Sequence, residues 1–393
     1  DTHLPYREPK KYEEMFSGPL PEGLPKRFGL REMDAFAERE DARNYLSGRY
    51  DQTVRYVDDS LGPFFDSLGD DAIVVLYSDH GEEFWEHGGF EHNHTLYDET
   101  TRAVLALRPG GGLPKGLRLD HPATLADIGP TLYDLAGIDD PPATDGRSLL
   151  RAVQGEDWSE RAIPIAHIQY SHERWGVVFR GKKYILHTGS GEEELYDMAA
   201  DPTESTNLAA ATDLGPWRAE LSVAHSIPVQ PGWRIPVRFP KGAGSPFTIT
   251  LPAEADAAGV LDPEAIVEHR ANVEWGEIPK KLPQDVGQVE LSDDGRTLSY
   301  TPGPVPDGVL YVLFSEPVDP SAAQVRVAEK PVELRVEPSG VATWSEGARQ
   351  LELRPGTVVL PPPTEADRMG LGPGAEGAAD EMDLLRELGY VGD

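Results

Sequence analysis

From Tyr50 onward the apolar positions Tyr50, Val54, Val57, Leu61, Phe64 and Phe65 recur three or four residues apart. That spacing predicts an amphipathic helix, which Pro63 should bend or end. The unbroken apolar run Ile73-Val74-Val75-Leu76-Tyr77 reads as a buried parallel strand. It empties Ser78-Asp79-His80-Gly81 onto its carboxyl end, where open α/β sheets place their ligands. A second apolar run, Ala103 to Leu107, closes on Arg108-Pro109-Gly110-Gly111-Gly112. Leu125, Ile128, Leu132 and Leu135 form another helical stripe, with Gly137 where a left-handed C-cap belongs. Strands and helices in alternation predict a doubly wound α/β sheet. Upstream, residues 7–43 are charged and read as a surface excursion with one short helix near Leu30 to Asp41.

The pattern changes after about residue 160. Trp175 to Arg180 and Lys183 to His187, split by Gly181, predict a β-hairpin in a small antiparallel subdomain. From Pro216 to Pro363 the apolar pieces are short and punctuated by Pro, Gly and Asp: Phe247 to Leu251, Gln288 to Leu291, Thr297 to Thr301, Val309 to Phe314, Gln324 to Val327, Val332 to Val336, Thr343, and Gln350 to Leu353. Such spacing favours an antiparallel sandwich. Glu365 to Ala379 has the composition of a loose linker, followed by a helix over Glu381 to Leu388. The expected divisions are 1–160, 161–215, 216–363 and 364–393.

Composition narrows the function. The 393 residues carry 68 acidic against 36 basic side chains, a formal charge of −32, which repels nucleic acid and anionic membrane surfaces. No apolar stretch approaches the ~18 residues of a transmembrane helix. The chain has no cysteine, which suits reducing and oxidising compartments alike. It begins on Asp1, with neither initiator methionine nor signal peptide in view.

Chemistry concentrates after the first strand. Adjacent Asp79 and His80 can reach one cation from a shared turn, and His87, His92 and His94 follow within a short loop. The blocks Ser-Asp-His-Gly-Glu-Glu-Phe, Glu-His-Gly, His-Asn-His-Thr-Leu-Tyr-Asp-Glu and Thr-Arg between Ser78 and Arg102 resemble, in order, the second half of sulfatases of the alkaline phosphatase superfamily. Asp1-Thr2-His3-Leu4-Pro5-Tyr6 resembles that family's Asp-x-His-x-Pro-Tyr segment. Tyr50 to Asp59, Gly129 to Gly137, and Glu194-Leu195-Tyr196-Asp197 with Asp201-Pro202 and Asn207-Leu208 are similar to further family segments. The likeness covers roughly residues 1 to 210.

The resemblance implies a metal-dependent hydrolase of sulfate esters on small molecules or glycans, exported to a periplasm or the cell exterior. Asp79 and His80 then stand as metal ligands. His3 and His92, or His94 in place of His92, stand as catalytic residues meeting the substrate's anionic oxygens or its leaving group. The imidazole of His80 suits zinc or manganese better than calcium, so the divalent ion stays open. The family's paired aspartates and its Cys/Ser-x-Pro-x-Arg segment, whose Cys or Ser becomes the formylglycine nucleophile, are absent from these residues. The expectation is therefore the later part of a longer polypeptide, inactive alone. Alternatives are a phosphodiesterase or phosphoglycerol transferase of the same superfamily, and a noncatalytic fragment whose β-domain binds glycan or protein. Glu82 and Glu83 are expected to lie behind the site or face solvent, and His87 to orient the loop.

Overall fold

The computed structural model describes residues 2–7, 9–25, 36–92, 94–110, 116–158, 160–166, 174–187, 191–227, 229–239, 244–262, 287–304 and 308–359. The predicted linker and terminal helix beyond 360 lie outside them, as does the first half of the predicted helix near Leu30. The chain divides into two compact units. One comprises Asp1–Ile165, Val178–Lys182 and Asp197–Thr206, the other Ala166–Val177, Lys183–Tyr196 and Asn207–Asp393.

In the first unit, helix α1 (Glu40–Ser67) carries Pro63 inside it, so of the predicted bend or end the proline does not make the end. It sits one turn from the carboxyl end, where few hydrogen bonds remain to lose. The buried line of α1 also differs from the predicted stripe. Ala42, Leu46, Gly48, Gln52 and Thr53 are buried, while Val54 and Phe64 face solvent. A polar contact selects that face: Gln52 Oε1 accepts from the amides of Phe16 and Ser17, both at 3.0 Å.

Strand β1 (Ile73–Tyr77) precedes two short strands, β2 (Glu83–Phe84) and β3 (Phe90–Glu91), which pair as Glu83 with Glu91 and Phe84 with Phe90. After the one-turn helix α2 (Asp98–Thr101), strand β4 (Leu105–Pro109) returns. The expected buried parallel strand is corrected here: β1 pairs antiparallel with β4, and Leu76 and Tyr77 are exposed. Hydrogen bonds at the connecting loop's base extend that pairing. Ser78 closes the loop by donating its amide to Val104 O at 3.1 Å and accepting from Val104 N at 2.9 Å through its hydroxyl. Helix α3 (Ile128–Ala136) ends at Gly137 with φ of 67° and ψ of 38°, the left-handed cap that the sequence predicts. Before it, buried Asp127 takes a two-pronged ion pair from Arg161 at 2.6 and 2.7 Å. A short helix, α4 (Leu149–Val153), follows.

Strands β5 (Ile163–Ala166), β6 (Arg174–Phe179), β7 (Lys182–His187) and β8 (Glu193–Asp197) form a four-stranded sheet in that order. The β6–β7 turn carries positive φ at Arg180 and Gly181, the geometry that matches strand twist in two-residue hairpins. Helix α5 (Gly215–His225) leads into the β-rich region.

That region holds β9 (Val229–Arg238), β10 (Phe247–Thr250), β11 (Ala257–Asp262), β12 (Gly287–Leu291), β13 (Thr297–Pro302), β14 (Gly308–Leu313), β15 (Gln324–Val327), β16 (Lys330–Val332), β17 (Arg335–Val336), β18 (Ala342–Glu346) and β19 (Arg349–Val359). They make a five-stranded sheet, β12-β13-β10-β15-β16, and a six-stranded sheet, β11-β14-β9-β19-β18-β17. Trp233, Ile235 and Val237 of one sheet share a core with Phe247, Ile249, Leu298 and Tyr300 of the other. This is the packing of an antiparallel sandwich. The molecule is thus mixed α/β with several antiparallel sheets, and no helix among the described residues is long and apolar enough to cross a membrane.

Candidate functional site

The loop between β1 and β4 is built on an aromatic floor. Tyr6, Leu46, Trp85 and Phe90 form a buried cluster, with Tyr50 and Phe84 packed against it. Gly81 seats the loop start, its amide bonded to Thr100 O at 2.9 Å. A Cβ at Gly81 would lie 2.1 Å from Glu99 O, so only glycine allows that approach.

On this floor His92 is the central side chain. It is 4% exposed, and its ring stacks on His80 with centroids 4.0 Å apart and meets His3 edge-on at 5.4 Å. Three histidines far apart in the chain therefore gather at one point. Asp79 stands beside them, exposed, with Oδ1 3.6 Å from His80 Nε2. His94, the alternative to His92, faces the other way: its Nε2 lies 2.7 Å from Glu83 Oε2 and its Nδ1 3.1 Å from His92 O. The two histidines thus take different carboxylates, His92 that of Glu82 and His94 that of the adjacent Glu83.

Glu82, expected behind the site or in solvent, stands behind His92, and Tyr6, which had no role assigned from the sequence, joins it. Glu82 Oε1 lies 2.7 Å from His92 Nδ1, while Oε2 accepts from the Tyr6 hydroxyl at 2.9 Å. A carboxylate on one ring nitrogen fixes the orientation of the imidazole and leaves the other nitrogen for chemistry. Burial, reinforced by the charge of Glu82, raises the Tyr6 phenol far above its ordinary value and keeps it a donor. The signal was present: Tyr6 closes the quoted Asp-x-His-x-Pro-Tyr segment, and Glu82 directly follows the glycine turn.

Glu91, also missed, is 2% exposed and holds a non-glycine φ of 75°. Burial first, and the charge of Glu82 second, push its carboxyl up to about 7, against the opposing fields of His3, His94 and His80. Glu83 goes the other way. Its burial alone would raise it, but hydrogen bonds from His94 and from the Gly89 and His87 amides hold it below the usual glutamate value.

The metal expectation is tested by donor count. His80 Nδ1 lies 2.7 Å from Gly81 O, which leaves Nε2, beside Asp79, as the ring nitrogen available to an ion. Asp79 and His80 thus offer two donors to one ion. Among the described residues no group of three or more His, Asp or Glu side chains converges as a metal site. Two donors fall short of the four or more that zinc or calcium takes, and these residues alone do not complete the site.

Comparison with known proteins agrees with the motifs. Residues 1–138 match the family described as Sulfatase, and residues 85–224 the family described as N-sulphoglucosamine sulphohydrolase, C-terminal. A sulfatase of Formosa agariphila is 35% identical over 40% of this chain and 31% of its own length. A choline-sulfatase of Rhizobium meliloti is 33% identical over 41% of this chain and 32% of its own. A Delta 4,5-hexuronate-2-O-sulfatase of Bacteroides thetaiotaomicron is 31% identical over 49% and 46%. The chain thus spans between about a third and a half of the length of these relatives. Among solved structures, a 2-O GAG sulfatase aligns with a TM-score of 0.40 at 26% identity, covering 53% of this chain and 51% of that one. Through its first 224 residues, the chain belongs to the sulfatase family.

Proposed function

We propose that the histidine cluster is the anion-facing part of a sulfate-ester hydrolase site, acting on sulfated small molecules or glycans. The observation that carries this reading is His92, held by Glu82 on one side and in ring contact with His3 and His80 on the other. Hydrolysis of a sulfate ester needs donors on the nonbridging oxygens, a nucleophile, and a proton for the leaving oxygen. His92, oriented through Nδ1, presents Nε2 to the sulfate and donates to it as the imidazolium. His3, at the edge of the cluster, is placed to protonate the leaving group. Asp79 and His80 furnish two donors toward a divalent ion, whose role when bound would be to neutralise charge on the sulfate oxygens.

The sulfated-sugar substrate is supported by the hexuronate sulfatase among the relatives, and an exported location would suit it. No cysteine is present, so on this reading a formylglycine derived from cysteine comes from polypeptide outside these residues. The test is hydrolysis of an aryl sulfate and an aryl phosphate by a longer polypeptide that includes this chain. Sulfate turnover that falls on the order of a hundredfold in His92→Ala is the expected result. Preference for the phosphate ester would move the protein to a phosphate-ester hydrolase, and unchanged turnover in His92→Ala would remove the assignment.

A further inference from the structure

Two histidines of the same loop, His94 and His87, stand outside the ring cluster, and each lies between two hydrogen-bond acceptors. His94 has the Glu83 carboxylate at Nε2, 2.7 Å away, and a backbone carbonyl, His92 O, at Nδ1, 3.1 Å away. His87 has the Glu99 carboxylate at Nδ1 and Glu204 O at Nε2, the latter at 3.3 Å, and its ring stacks on Tyr97 at 3.7 Å. A carbonyl oxygen can only accept, so a neutral imidazole, with one N–H, can serve only one of each pair unless the carboxyl is itself protonated. At Glu83 that exception fails. Its two oxygens already accept from His87 N at 3.0 Å, Gly89 N at 2.7 Å and Thr95 Oγ1 at 3.4 Å.

We infer that His94 and His87 are imidazolium ions, each donating from both ring nitrogens, and that they are positioning residues which clamp the loop presenting His92. The positioning role rests on the reading of His92 given above; the protonation does not. Glu83 is the anchor of the clamp, fully buried and bonded to four points between residues 87 and 95. Gly89 leaves the room it needs: a Cβ there would lie 2.0 Å from His94 Nε2 and 2.9 Å from Glu83 Oε2. The second ion ties the loop to the Glu204 turn, and Glu204 Oε2 in turn accepts the Asp98 amide at 2.5 Å. Glu83 and Glu91 face His94, with His3 and His80 also acting on Glu91, and Glu99 and Glu204 face His87. Burial would lower His87, but the Glu99 hydrogen bond and charge, with Glu204, hold it above the ordinary histidine value. For His87 the raised value means that its half of the clamp is complete below the ordinary histidine value and is lost as pH rises through the folded-state one.

The test is a proton-nitrogen spectrum of the chain with labelled histidine rings, followed against pH and assigned with His94→Gln and His87→Gln. Both rings should stay doubly protonated above the ordinary midpoint of about 6.5. Glu83→Gln should move the His94 midpoint down and leave that of His87, with Glu99→Gln doing the converse. If a variant does not fold, the wild-type spectrum still tests the inference, because fewer than two raised midpoints overturn it. Either ring behaving as a neutral tautomer at or below the ordinary midpoint overturns the inference. No sulfate enters this experiment, so its failure leaves the hydrolase reading standing. Conversely, a clamp found in a protein whose His3, His80 and His92 signals ignore sulfate would remove only the hydrolase reading.

Discussion

Glu82 and Glu91 show at the residue scale how one buried loop divides its carboxyl groups. Glu82 keeps two partners, His92 and Tyr6, and Glu82→Ala should strand both. Losing the orienting carboxylate of a working histidine typically costs 10- to 100-fold, and leaving the buried Tyr6 hydroxyl unpaired costs about 1–3 kcal/mol. Sulfate turnover in the longer polypeptide reads the first, and a denaturant melt of this chain reads the second. Glu91 is an acid whose folded-state value is raised from 4.5 to about 7. The fold keeps its proton where the unfolded chain has released it, so stability falls as pH rises between those values and is level above them. Glu91→Gln removes that slope. The variant should match the wild type near pH 4.5 and gain on it up to about pH 7, by on the order of 3 kcal/mol. Melting temperatures that track each other across this range would contradict the assignment. The sequence set Glu82 and Glu83 behind the site or in solvent but left Glu91 one acid among 68; only the fold decides which of them meets an imidazole.

Elements were more legible than their faces. The Gly137 cap, the hairpin at Gly181 and most strands of the sandwich follow from spacing and turn residues. Strand β9 did not, because Pro231 and Pro236 interrupt its run and proline argues against an interior strand. The structure places it third in the six-stranded sheet, between β14 and β19. Proline removes only the donor, and Pro231 O still accepts Phe314 N at 2.9 Å. The face of α1 was misread because Gln52 and Gly48 turn inward, a polar residue and a glycine that no apolar stripe includes. Gly48 gives a test in which two effects oppose. Alanine gains about 1 kcal/mol of helix propensity over glycine, yet a Cβ at Gly48 would lie 2.5 Å from Ser17 Cα, which is backbone and cannot swing away. Gly48→Ala should therefore lower the melting temperature; a rise would mean that the Phe16–Ser17 segment yields freely.

For the whole molecule, the sequence established the sulfatase resemblance and a β-rich second part, and the family matches support the first. It could not say that β1 would pair antiparallel, since a short apolar run reads alike in either direction. Nor does it explain the β-sandwich, for which the structure adds a core but, among the described residues, no catalytic constellation. Chain 1–393 by itself should show no robust hydrolysis of aryl sulfates, because catalysis by proximity needs the nucleophile and the donors in one place. Strong turnover by the purified chain would place a nucleophile within these residues and overturn that expectation. The central claim, that His3, His80 and His92 together meet an anion, has a more direct test in the ring spectra of the labelled chain as inorganic sulfate is added. The account predicts that those three resonances move together and saturate, while those of His87 and His94 shift little. Uniform small shifts across all histidines, or none, would contradict it.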